Sequence, residues 1–156
     1  MAAADPRLIL REEELDAGLE LMMLAEAALW AGADAGLEAE AGLGRSHWRA
    51  AFLMKRRPGL GVQELAHLTS LSKQAASRVI VDLEARGYAE KAPGDLDGRR
   101  RVARLTEAGE AFEARVSQRL RDQLGRAYRT GGLDGVAGAR RILSALAGGR
   151  LRTGAL

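Results

Sequence analysis

The chain has no cysteine, which rules out a disulfide framework, a thiol redox sensor and a thiolate metal site. It has two histidines, His47 and His67, on different predicted helices and with no carboxylate cluster at ligand spacing, so no metal site is expected. His67 reads as a helix-surface residue. Aromatic side chains are scarce, at 4%. Long apolar runs are missing as well. The most apolar stretch, Leu19–Ala33, is interrupted by Glu20 and Glu26 and is too short and too charged to span a bilayer. Met1–Arg11 lacks a basic segment leading into an apolar one, so no signal peptide is expected and the protein is placed in the cytoplasm. There is no Gly-rich phosphate loop and no nucleophile–base pair. The glycines of Gly131–Gly138 come without a P-loop lysine and read as a helix connector. An enzyme is not expected, and neither is a cofactor.

What is present fits one globular domain. The 156 residues suffice for a real core, and 47% hydrophobic with 29% charged residues is ordinary for a soluble fold. Net charge is only +3, yet it is unevenly spread. Residues 1–43 carry 2 basic and 10 acidic side chains, whereas residues 44–106 carry 13 basic and 6 acidic. Residues 107–156 carry 9 basic and 5 acidic. Positive charge in the middle segment suits phosphate binding. Arginine outnumbers lysine 21 to 3, which a GC-rich genome would produce unaided, so composition alone does not decide the matter.

Periodicity predicts helices with one small hairpin. A first helix is expected over roughly Glu12–Glu40, with Gly32 and Gly36 as places where it could bend or end early. A second runs over Arg45–Arg57 with Trp48, Ala51, Phe52 and Met54 inward, and Pro58-Gly59 stops it. Val62–Thr69, a turn at Ser70-Leu71, a cap at Ser72 and a helix over Lys73–Arg86 ending at Gly87 form a helix-turn-helix. Strand signals at Tyr88–Ala92 and Val102–Leu105 flank a basic turn. Thr106 is an N-cap with Glu107 and Glu110 behind it. The next helix carries Phe112, Val116, Leu120, Leu124 and Tyr128, breaks at Thr130-Gly131-Gly132, and is followed by a last one over Leu133–Ala147. The fold class is therefore mainly α with a small β-wing: a winged helix-turn-helix lobe over residues 44–106, with helices at 12–43 and 107–147 flanking it in a single domain.

The recognition helix divides into two faces. Ala76, Val79, Ile80 and Leu83 fall at i, i+3, i+4 and i+7 and pack inward. Lys73, Gln74, Ser77 and Arg78 are left near its N-terminal end. Such a polar face often does no more than solvate a helix. Here glutamine suits adenine, arginine suits guanine, and Lys73, Ser72 and Ser77 suit phosphates, while acids come only at Asp82 and Glu84. In the wing, Arg99, Arg100 and Arg101 follow a glycine turn. An arginine at such a tip enters a narrow minor groove, where the negative potential is strongest. Asp97 is expected to pair with an arginine and hold the tip in shape.

These residues together resemble the MarR family of bacterial transcription regulators over about residues 40–115. The likeness is carried by Leu71 through Arg78, by Asp97-x-Arg99, and by Leu105-Thr106-x-x-Gly109. The resemblance implies that Arg99 is the minor-groove arginine and Asp97 its structural partner. Gly98 departs from the family, which often has arginine there. The family's cysteine-based redox mechanism is excluded. The resemblance also implies a homodimer whose terminal helices interlock and whose recognition helices meet successive major grooves of a pseudo-palindrome, most simply as a repressor. Apolar stripes on the flanking helices, too long for one small lobe to cover, point the same way. Small anionic aromatic effectors are a family habit; by position Trp30, His47, Trp48, Phe52 and Met54 could line such a pocket, although residues of this kind are more often core. The alternative function is a protein-interaction scaffold on a winged helix that does not bind DNA specifically.

Overall fold

The computed structural model describes residues 8–93 and 101–148. Five helices and one hairpin follow in the order α1 (Glu12–Leu37), α2 (Arg45–Arg56), α3 (Val62–Thr69), α4 (Lys73–Ala85), β1 (Ala89–Pro93), β2 (Arg101–Leu105) and α5 (Glu107–Ala147). The mainly helical architecture with a small antiparallel wing is the one the sequence predicts. β1 and β2 pair in the register Ala89↔Leu105 to Pro93↔Arg101, one residue further toward the tip on each strand than the propensity signal suggested.

The lobe is built on α4. Ser72 caps it, its Oγ accepting the Ala75 N–H at 3.1 Å. The apolar quartet Ala76, Val79, Ile80 and Leu83 is buried, together with Leu65, Ala66 and Leu60 beneath α3. The turn between α3 and α4 passes through Ser70 in the left-handed region (φ 58°), which lets Leu71 N–H bond back to Ala66 O at 3.1 Å.

The junction of wing and α5 has the tightest steric demand. Thr106 caps α5 by accepting the Gly109 N–H at 3.1 Å, and its hydroxyl donates to Gly87 O at 2.6 Å. Thr106 N–H reaches Tyr88 O at 3.1 Å. Those bonds press the first turn of α5 against the backbone of Tyr88, so a Cβ on Gly109 would lie 1.9 Å from Tyr88 O. The Tyr88 ring then stacks on Phe112, with centroids 5.0 Å apart, and its hydroxyl donates to Glu40 at 2.9 Å.

Glu40 also explains where α1 stops. The first helix ends at Leu37, short of the expected Glu40, because the chain turns to place the Glu40 carboxylate between Tyr88 and Arg115. α1 ends early, one residue past Gly36, as its glycines allowed; Gly32 and Gly36 themselves are helical. They lie inside it, and Gly36 sits against α5, where a Cβ would be 3.4 Å from Val116 Cα; the small residues serve close helix packing.

The last two predicted helices form one hydrogen-bonded run, α5, but Gly132 within it has φ 64° and ψ −174°. Two helical segments therefore meet at a kink at Gly132, within the expected Thr130-Gly131-Gly132 break. Phe112, Val116 and Leu120 of the same apolar row are buried against α1 and α2, while Leu124, Leu133, Leu143 and Leu146 are exposed. On α1, Ala33 and Leu37 are buried, whereas Leu15, Leu19, Met22 and Met23 are exposed. The stripes thus split: their inner parts are buried in the core, and among the described residues their outer lengths are exposed.

Candidate nucleic-acid interface

The outer face of α4 is assembled by burial of its inner one. Once Ala76, Val79, Ile80 and Leu83 point into the core, Ser72, Lys73, Gln74, Ser77, Arg78 and Val81 are all exposed on the opposite side. Arg78 is 81% exposed, and Val81 beside it is 52% exposed. The helix N-terminus adds its own positive end to Lys73. Cationic, amide and hydroxyl groups therefore share one convex face, the chemistry that phosphates and base edges accept.

Arg101 opens β2 opposite Pro93. Asp97, Arg99 and Arg100 lie outside the described residues, as does Gly98. At the base of the wing, Glu90 and Arg104 face each other across the strands with Nε–Oε1 2.7 Å, so Arg104 is already neutralised. Lys91 reaches Glu84 at 3.8 Å and ties the wing to α4.

Sequence reasoning passed over the groups behind this face. His47 Nδ1 accepts the Gly44 N–H at 3.0 Å, and its Nε2 lies 3.2 Å from Asp82 Oδ2. Asp82 Oδ1 in turn lies 3.6 Å from Arg78 Nε. The i, i+4 spacing of Arg78 and Asp82 could have signalled their pairing; the partnership with His47, thirty-five residues earlier, could not.

A second polar cluster braces α2 against α5. Glu113 is 1% exposed, with the Lys55 ammonium 3.0 Å from Oε2 and Arg121 3.4 Å from Oε1. Ser117 donates to the same carboxylate, and Trp48 Nε1 donates to Ser117 Oγ at 2.9 Å. A buried carboxylate is tolerated here because two cations and a hydroxyl meet it.

Beside the lobe, a groove of about 370 Å³ runs along α1, lined by Met23, Glu26, Trp30, Asp34 and Arg45. Arg45 grips Asp34 through two bonds of 2.8 and 2.5 Å and lies over the Trp30 ring, 5.2 Å from its centroid. The Arg45 hydrogen bonds hold the Asp34 carboxyl below its ordinary range, against the opposing effect of desolvation. Of the five residues expected to line a pocket, only Trp30 lines this groove. Met54 is core, Trp48 is committed to Ser117, Phe52 packs on Trp48 at 5.5 Å, and His47 faces Asp82.

A winged helix-turn-helix with a cationic, uncovered recognition face defines a class of DNA-binding proteins. Residues 41–100 match the MarR family. The chain is 36% identical over 139 residues to the HTH-type transcriptional regulator PetP of Rhodobacter capsulatus, a match that spans 89% of this chain and 83% of that protein. Among solved structures, NadR in complex with 4-hydroxyphenylacetate superposes with a TM-score of 0.72 at 20% identity, covering 95% of this chain and 99% of NadR. CouR of Rhodococcus jostii, bound to p-coumaroyl-CoA, gives 0.69 at 20% identity, over 85% and 92% of the two chains. The chain belongs to the MarR family of DNA-binding transcriptional regulators. No helix among the described residues is long and apolar enough to cross a membrane.

Proposed function

We propose that the protein is a homodimeric repressor that binds a pseudo-palindromic operator, with α4 in the major groove and the wing arginines Arg99, Arg100 and Arg101 at the neighbouring minor groove. The exposed row Lys73, Gln74, Ser77 and Arg78 carries this reading. Gln74 and Arg78 present the two side chains best suited to adenine and guanine edges, and Ser72, Lys73 and Ser77 suit the flanking phosphates. The outer apolar lengths of α1 and α5 support two copies: Leu15, Leu19, Leu124, Leu133, Leu143 and Leu146 are exposed along stripes that a second copy would cover. A two-fold dimer reads a two-fold site, one helical turn between half-sites.

Release by a small molecule belongs to the same proposal. The Trp30 groove offers an aromatic face, an arginine and a size that fits a small aromatic compound. The compound in complex with NadR, 4-hydroxyphenylacetate, is of that kind. Arg45 would have to exchange Asp34 for the ligand's carboxylate.

Selection of bound duplexes from a random pool tests the proposal. An inverted repeat should be enriched, with one half-site per chain. Recovery of unenriched DNA would instead favour a winged-helix scaffold that does not read sequence.

A further inference from the structure

We propose that His47 and Asp82 are positioning residues for base readout, holding Arg78 with its terminal amino edge free for a guanine. The inference rests on the assignment of α4 as the reading helix and names what controls one of its contacts.

The chain of contacts, two hydrogen bonds and one ion pair, has a defined direction. His47 Nδ1 is occupied as an acceptor by the Gly44 N–H, at 3.0 Å, so in the neutral ring the proton resides on Nε2. Nε2 then donates to Asp82 Oδ2 at 3.2 Å. His47 is 13% exposed and anchored in the first turn of α2, so this bond fixes the carboxylate from a separate helix. The other oxygen, Oδ1, is left facing Arg78 Nε at 3.6 Å.

An exposed arginine four residues before an aspartate gains little from the pair alone, because both side chains rotate freely. Anchoring the aspartate through His47 changes that. The guanidinium is steered along its Nε edge by a carboxylate that does not turn away, and its two terminal nitrogens stay unclaimed by Asp82. Guanine O6 and N7 accept such a fork, and an arginine already aimed gives up less freedom on binding. Asp82 also places negative charge behind the reading face, where it disfavours any arrangement in which Arg78 slides to a phosphate and leaves the base edge unread.

The test uses the full-length protein and the enriched inverted repeat, with each half-site guanine replaced in turn, read by fluorescence anisotropy. Wild type is expected to lose about 10- to 100-fold in affinity when the guanine read by Arg78 is replaced. Asp82→Asn and His47→Gln should each shrink that loss at least fivefold at this one position, leave the penalties at other positions intact, and leave the dimer assembled. Asp82→Glu, which keeps the charge, should restore part of the discrimination. A uniform loss of affinity on every duplex would mean a purely structural tie between α2 and α4, and would overturn the inference. So would undiminished discrimination in both variants when Arg78→Ala abolishes it, a result that leaves the assignment of α4 standing. Arg78→Ala without effect at any position overturns that assignment and this inference together. Should one variant fail to fold, the other decides.

Discussion

Individual residues carry most of the specificity in this account, and three of them give sharp expectations. Arg78→Ala should relax preference at one operator position at a cost of about 1–3 kcal/mol, measured by anisotropy on single-base operator variants. Gly109→Ala should destabilise the fold by about 3 kcal/mol or more, seen in a urea melt, because the new methyl meets the Tyr88 backbone at 1.9 Å and neither the capped helix nor the strand can yield easily. An unchanged midpoint would show that the wing junction is looser than its bonds imply. Asp34 should titrate below the ordinary aspartate value of 3.8, because Arg45 bonds to its ionised form. A depressed folded-state pKa adds stability that is complete above 3.8 and fades as pH falls through the lowered value. Carbon NMR of the carboxyl checks this: Arg45→Ala should return the midpoint toward the ordinary value, and an unmoved midpoint would remove Arg45 as its cause. The residue scale is also where the sequence was least informative. The exposed placement of Ser72, Gln74, Ser77 and Arg78 was legible because helical periodicity separates them from Ala76, Val79, Ile80 and Leu83. His47 was not, since its partner is set by how α2 crosses α4, and no local pattern encodes a crossing.

At the scale of elements, caps and breakers made most of the fold readable. Ser72 and Thr106 announce α4 and α5 through side-chain oxygens that accept the Ala75 and Gly109 N–H groups. Gly132 announces the kink by a conformation open to glycine. The end of α1 was misjudged because its cause is tertiary: Glu40 leaves the helix to meet Tyr88 and Arg115. Gly36, one residue before that end, is also a packing residue, because α5 lies close against it. The brace between α2 and α5 was equally hidden, because nothing local marks Glu113 as buried. Lys55→Met removes one of its two cations and should lower stability by about 1–2 kcal/mol in chemical denaturation, a reduced figure because Lys55 is itself partly exposed to solvent. An unchanged or higher stability would mean that Arg121 and Ser117 satisfy the carboxylate without it.

For the molecule as a whole, charge and apolar surface are divided between two jobs. Acidic side chains dominate residues 1–43 and basic ones the lobe, a division that on the proposed reading would keep α1 from phosphate and draw α4 and the wing to it. On the proposed reading, the exposed outer lengths of α1 and α5 pack on a second copy, which would set the spacing of two reading helices on DNA. A charge placed in that surface, Leu19→Arg, should therefore weaken both self-association and operator binding, and sedimentation with a matching binding curve would show the two falling together. The central claim is that two copies read one inverted repeat through α4 and basic phosphate contacts. Its most direct test is an anisotropy titration of the full-length protein on the enriched repeat and on a scrambled duplex, over a series of salt concentrations. The account predicts two chains per repeat, weaker binding to the scrambled duplex, and affinity that drops steeply with salt, by about 10³- to 10⁵-fold between 50 and 200 mM for roughly 6–10 phosphate contacts. Equal affinity for both duplexes with little salt dependence would contradict it.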